Sequence, residues 1–185
     1  MRSDPPERLT DGSVVLQPIR DEDAAAYARA FREDPSLGAT IGREEDPDEA
    51  KALDLIRQGR ETGGDFVELG IFDAAGAEFL GLMVLVRIDE RHRRFEVGFW
   101  VVPWARGRGV ARGAVVLALD WAFEQAGMRR AELTTTPDNE ATIALAKALG
   151  FEAEGVMRER NFERGRAVDV AFFGLLREDW EGSGR

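Results

Sequence analysis

Residues 95–113 read Phe95-Glu96-Val97-Gly98-Phe99-Trp100-Val101-Val102-Pro103-Trp104-Ala105-Arg106-Gly107-Arg108-Gly109-Val110-Ala111-Arg112-Gly113. A strand-like apolar run, Val97 to Val102, stops at Pro103, crosses an Arg/Gly loop and enters a long apolar helix. The first amides of a helix have no partner within it, and its dipole makes that end positive. Glycines at 107 and 109 let an anion approach the main chain, with Arg106, Arg108 and Arg112 close in sequence. From Val97 through Leu119 there is no Asp or Glu, in a chain of 185 residues with net charge −10. The pattern predicts a site for a phosphate-like anion.

Spacing narrows the choice. A dinucleotide fingerprint counted from Gly107 and Gly109 needs glycine or alanine where Arg112 stands, and Gly113 comes one residue late. No Gly-Lys-Ser/Thr tripeptide exists for a Walker loop, so a nucleotide-binding reading is disfavoured. Arg-x-x-Gly-x-Ala remains, at Arg106, Gly109 and Ala111; taken alone it fits an unliganded turn equally well.

Downstream come a β-branched run, Glu132 to Thr136, then Pro137-Asp138-Asn139, then a short helix ending Leu149-Gly150-Phe151. Glu154-Gly-Val-Met-Arg-Glu-Arg160 and Gly165-Arg-Ala-Val-Asp169, followed by Val170 to Leu176, read as two last strands. The loop resembles the acetyl-CoA pyrophosphate loop of the GNAT (Gcn5-related N-acetyltransferase) superfamily. The segment Asn139 to Phe151 resembles that superfamily's second acetyl-CoA motif, and the C-terminal pattern resembles the branch containing ribosomal-protein N-alpha-acetyltransferases.

The resemblance implies an α/β fold of the GNAT type: a mixed, mostly antiparallel sheet of about seven strands with helices on both faces. It implies a single N-acetyltransferase domain over 13–180, with flexible tails at 1–12 and 181–185. The implied activity is transfer of an acetyl group from acetyl-CoA to a primary amine, a protein N-terminus or a small amine, by direct attack in a ternary complex. The cosubstrate would lie along Phe99, Trp100, Val101 and Val102, on Arg106, Gly107, Arg108, Gly109, Val110 and Ala111, and near Asn139. Glu96, in a Glu-x-Gly-aromatic segment, is the candidate base; its other reading is a structural carboxylate paired with Arg87 or Arg94. Where many members carry a tyrosine acid this chain has Ala146, so Thr142, three residues after Asn139, is the candidate to protonate the leaving thiolate. Asn161 stands before Phe162 where the ribosomal branch can carry a carboxylate. These departures keep a non-catalytic acyl-CoA-binding or sensor module as an alternative.

Composition supports one globular domain: 44% hydrophobic and 32% charged residues are ordinary for a folded chain of this size. The excess of acid argues against a nucleic-acid surface, and no apolar run reaches membrane-spanning length. Zero cysteines exclude disulfides, thiolate metal sites and a Cys-acyl intermediate, and one histidine leaves no His-rich metal centre. The expectation is a metal-free cytoplasmic protein, monomer or homodimer, off the membrane.

Along the chain, Val14 to Ile19 reads as the first strand and Asp21-Glu-Asp as the start of a helix through Phe31. Asp46-Pro47-Asp48-Glu49 predicts a helix capped by Asp46 and stopping at Gly59, with a loop over 32–45 forming one wall of the acceptor site. Phe66 to Phe72 and Phe79 to Val86 predict a hairpin. One continuous helix is expected from about Gly107 to Ala126.

Overall fold

The computed structural model describes residues 6–40, 45–61, 65–163 and 165–182. In chain order the elements are β1 (Leu9–Thr10), β2 (Val14–Gln17), α1 (Ala24–Glu33), α2 (Ser36–Thr40), α3 (Glu49–Glu61), β3 (Val67–Asp73), β4 (Phe79–Asp89), β5 (Arg94–Val101), α4 (Val110–Asp120), β6 (Arg130–Thr135), α5 (Glu140–Ala148), β7 (Glu152–Glu163), β8 (Arg166–Leu176) and α6 (Arg177–Gly182). Among the described residues eight strands form one sheet in the order β1-β2-β3-β4-β5-β6-β8-β7. Only β5 and β6 are parallel; every other pair is antiparallel. The sheet is of the expected kind, with one more strand because Leu9–Thr10 adds a short edge. That strand lies within the stretch 1–12 expected as a tail; residues 1–5 and 183–185 lie outside the described residues.

Helices lie on both faces because β5 alternates. Phe95 points to one face and meets Phe123 at 6.0 Å, behind α4. Trp100 points to the other and meets Tyr27 and Phe31 of α1 at 5.0 and 5.6 Å. Tyr27, Phe31, Phe95 and Phe123 are all at most 2% exposed. At about 25 cal/mol per Å² of apolar surface, each such ring contributes on the order of 2–3 kcal/mol toward fixing the helices on the sheet.

Four local readings are corrected. The loop over 32–45 contains α2, in which Leu37 is buried. The cap of α3 is Asp48, whose Oδ1 accepts the Lys51 N–H at 2.8 Å, and the helix continues past Gly59 to Glu61. The central helix begins at Val110, after a turn through Gly107 and Gly109, both left-handed with φ of 72° and 80°. After Asp120 it widens into a π turn, Trp121–Gln125, where the Ala126 N–H reaches back five residues to the Trp121 carbonyl at 3.0 Å. Trp121, Ala122 and Phe123 are all buried within this wider turn, continuing the buried run Leu117 to Leu119 of α4.

The feature that positions the site is a fork. Strands β5 and β6 pair only at Arg94↔Arg130, Phe95↔Ala131 and Glu96↔Glu132. Beyond that, β5 stays on β4 as far as Gly81↔Val101, while β6 continues on β8 to Thr135↔Ala171. The Val102 N–H donates to the Leu80 carbonyl at 2.9 Å, which sets the phase of the β4 ladder. Alternation then turns the N–H and C=O groups of Val97, Phe99 and Val101 away from β4, toward the opening between β5 and β6.

Candidate functional site

The fork opens directly onto the Arg/Gly loop. After Val102 the chain makes one 3₁₀ turn, Pro103–Ala105, and then the Arg106–Gly109 turn into α4. Gly109 is the N-cap, and the first N–H bonded back into the helix is that of Gly113, to the Gly109 carbonyl at 3.0 Å. The amides of Val110, Ala111 and Arg112 therefore precede the internal ladder. A Cβ added at Gly107 or Gly109 would meet nothing within 4 Å, so open space lies over both glycines. Left-handed amides, a helix N-terminus and vacant volume make a cradle in which a diphosphate fits.

Residue by residue, the arrangement sorts the sequence-based expectations. Phe99 and Val101 face the fork opening with their main chain. The amide of Val102 is committed to Leu80, and Trp100 belongs to the β4-facing set, so these two cannot offer main-chain bonds to the gap. Trp100 instead buries its ring against α1 and Phe79, with an indole Nε1–H that has no partner. Gly107, Arg108 and Gly109 are exposed, whereas Val110 is buried and anchors the first turn of α4.

Arg106 is not aimed at the cradle. Its Nε–H donates to the Val101 carbonyl at 3.0 Å, and its Nη1 lies 2.7 Å from Asp34 Oδ2, at the junction of α1 and α2. Asp34 is mostly buried, which opposes its ionisation. Bonds from the Ser36 hydroxyl, Arg106 and the Ser36 amide outweigh that and hold its carboxyl below the ordinary value. A second tie runs parallel: the Arg29 guanidinium sits 4.2 Å from the centre of the Trp104 ring. The pairing of α1 with the Arg/Gly loop left no signal in the sequence.

Glu96 stands where the fork divides. One carboxylate oxygen accepts a bond from Arg87 of β4, and the other accepts the Thr134 hydroxyl of β6 at 2.5 Å. The side chain is 11% exposed and touches both prongs' neighbours, so of the two partners considered for it, Arg87 is the one it meets. The closed end of the fork is tied by Arg130, whose guanidinium bonds Glu132 at 2.9 Å and Glu154 at 2.7 and 2.5 Å. Glu154 holds the Arg130 charge more firmly, and Arg130 lowers the Glu154 carboxyl in return.

Asn139 caps α5: its side-chain oxygen accepts the Thr142 N–H at 3.2 Å. That bond uses the main chain of Thr142 and leaves its half-buried hydroxyl outside the cap. Ala146 is fully buried, so the position where a tyrosine was sought belongs to the core. His92 is exposed in a turn on Asp89, and Asp169 accepts the Glu159 amide at 2.7 Å across the last hairpin. Among the described residues no group of three or more His, Cys, Asp or Glu is placed to hold a metal ion. No described helix is long and apolar enough to cross a membrane.

A forked sheet whose parting strand leads through a glycine cradle into a helix is the candidate site of this chain, and comparison with known proteins shows the family to which the fold belongs. The family model for the acetyltransferase (GNAT) domain matches residues 13–152, and the chain belongs to that family of acetyl-transferring enzymes. It is 28% identical over 177 residues to the Bacillus subtilis protein named "Putative ribosomal N-acetyltransferase YdaF", covering 91% of this chain and 94% of that one. A crystal structure from Chromobacterium violaceum, described as one of the "probable acetyltransferases (GNAT family)", superposes with a TM-score of 0.86 at 27% identity, over 97% of this chain and 91% of that one. Spermidine N-acetyltransferase from Vibrio cholerae, solved with CoA and spermine, shares the fold at a TM-score of 0.79 and 21% identity, over 92% and 99% of the two chains.

Proposed function

We propose that the chain moves the acetyl group of acetyl-CoA to a primary amine, within one domain spanning residues 13–180 and in the cytoplasm. The single observation that carries this reading is the fork. Three paired positions are followed by main-chain groups of Val97, Phe99 and Val101 that face the gap, and the strand then passes through one 3₁₀ turn into an open glycine cradle. A diphosphate held by the first amides of α4 would direct a pantetheine arm along the edge of β5, where the Phe99 main chain and the Val101 N–H would pair with it as with an added strand.

Acetyl-CoA supplies an activated thioester carbonyl. The chain's contribution is to place it and to bind the charge that develops on its oxygen, and a main-chain N–H of β5 at Phe99 or Val101 serves as that donor. Holding two reactants in line contributes up to about 7–11 kcal/mol of the barrier without any reactive side chain. Glu96 has both carboxylate oxygens engaged, which favours a role in bracing the fork over direct removal of the amine proton. Thr142, in the first turn of α5, is the hydroxyl assigned to protonate the leaving thiolate. Asn139 orients it by fixing that turn.

The acceptor is a small polyamine or a protein N-terminus. Likeness to the spermidine enzyme supports the first, and likeness to YdaF supports the second. The test is release of free thiol from acetyl-CoA with spermidine, a hexapeptide bearing a free N-terminus, and an aminoglycoside. Turnover on any of them supports the reading. Micromolar CoA binding without turnover on all three would make this an acyl-CoA-binding module, and absence of CoA binding would sink the proposal.

A further inference from the structure

Arg106 opens the motif that reads as a phosphate ligand, yet its guanidinium spans two other groups: the Val101 carbonyl at the end of β5 and the Asp34 carboxylate. Asp34 in turn organises α2. Its Oδ1 accepts the Ser36 N–H at 3.0 Å and the Ser36 hydroxyl at 2.5 Å, and its carbonyl accepts the Leu37 N–H at 3.0 Å. One aspartate thus caps a short helix on one side and ends an ion pair from the glycine loop on the other. The Asp34 side chain is 15% exposed and the Arg106 side chain 47%, so the carboxylate end of the pair is shielded while the guanidinium end is open to solvent. The Arg29–Trp104 contact ties the same end of α1 to the same loop. On this face of β5, where Trp100 packs against Tyr27 and Phe31, α1 is the wall beside the fork, and α2 follows it in the chain through Asp34.

We infer that Arg106 and Asp34 are positioning residues that join the cofactor loop to α2, so that the loop sets the acceptor wall. The inference rests on the proposed function for what the wall faces, and it assigns Arg106 a role through Asp34, not contact with phosphate. A helix of five residues has little stability of its own, so its order depends on such external ties. Removing the guanidinium would therefore loosen a helix that Arg106 does not belong to.

The test is amide hydrogen exchange on the full chain, with and without CoA, in Asp34→Asn, Arg106→Gln and the double variant. Asn at 34 keeps an oxygen for the Ser36 cap and loses the charge. Exchange over residues 36–40 should rise about five- to ten-fold in either single variant and no further in the double, because both remove one interaction. The CoA dissociation constant of Arg106→Gln, measured by calorimetry, should stay within about three-fold of the parent. A merely structural weakening would raise exchange throughout the sheet as well, so protection over 95–101 is followed as the control. Unchanged exchange at 36–40 in Arg106→Gln overturns the inference even if CoA binds. A loss of CoA affinity of about a hundred-fold or more in that variant also overturns it, by making Arg106 a phosphate ligand. If the parent binds no CoA, the proposed function fails, and the exchange at 36–40 still decides whether the two residues act as one tie.

Discussion

Replacing Gly109 by Glu puts a side chain into the space over the cradle. The structure gives two separate costs. The backbone cost is small: Gly109 has φ of 80°, and an L-residue there loses about 1–2 kcal/mol. Its Cβ would meet nothing within 4 Å, so no clash adds to that. For a chain of this size the melting temperature should drop by about 2–8 °C. The ligand cost is larger. A carboxylate about 5 Å from one phosphate charge, at an effective dielectric near 20, repels it by roughly 3 kcal/mol, which is about two orders of magnitude in Kd. Calorimetric titration with CoA and a thermal melt of the same samples separate the two effects. A folded Gly109→Glu protein whose CoA affinity stays within about three-fold of the parent would refute the cradle as the anion site.

Three further outcomes are expected. Gly81→Ala should destabilise by about 2–4 kcal/mol with a matching fall in denaturant midpoint, because its Cβ would sit 2.1 Å from the Trp100 carbonyl oxygen, a main-chain atom, at a φ of +154°; a wild-type midpoint would contradict the close approach of β4 and β5. Glu96→Gln should lower turnover by the same fraction at pH 7 and pH 9 and lower the melting temperature, as expected of a brace; a loss confined to neutral pH would return Glu96 to the role of base. Stability should hold above about pH 4.5 and fall in more acid solution, since the folded Asp34 and Glu154 carboxyls lie below their ordinary values of 3.8 and 4.5. Their stabilisation is complete above the unfolded values and is lost as pH falls through the folded ones. Asp34→Asn should flatten the acid limb in tryptophan-fluorescence titrations, and an unchanged limb would remove Asp34 from the account.

The strand, the glycine loop and the apolar helix were legible because each leaves a local mark: a run of Val and aromatic residues, a proline stop, paired glycines, and a 3.6-residue apolar period from Val110 onward. The α2 helix left none, since Ser36-Leu37-Gly38-Ala39-Thr40 contains weak helix formers and a central glycine, and it is held from outside. The cap of α3 was misplaced by two residues because Asp46 and Asp48 flank Pro47 and either suits the role. The long-range ties, Arg106 to Asp34 and Glu96 to Arg87 and Thr134, depend on sheet order and on the alternation of faces. No single segment encodes them. Asn139 stands just ahead of a short helix, where its bond to the Thr142 amide caps the first turn.

The π turn at Trp121–Gln125 holds one residue more than an α-helix of the same length would need. Closer to the cradle, losing a residue from α4 would rotate every later side chain by about 100° and strip the helix from the sheet. Within the widened turn the same loss would be absorbed by tightening to ordinary α geometry, leaving Val110 through Leu119 in register. The segment is therefore where this chain has room to change length between its loop and β6 without disturbing either, much as an expansion joint lets a span shorten between fixed piers.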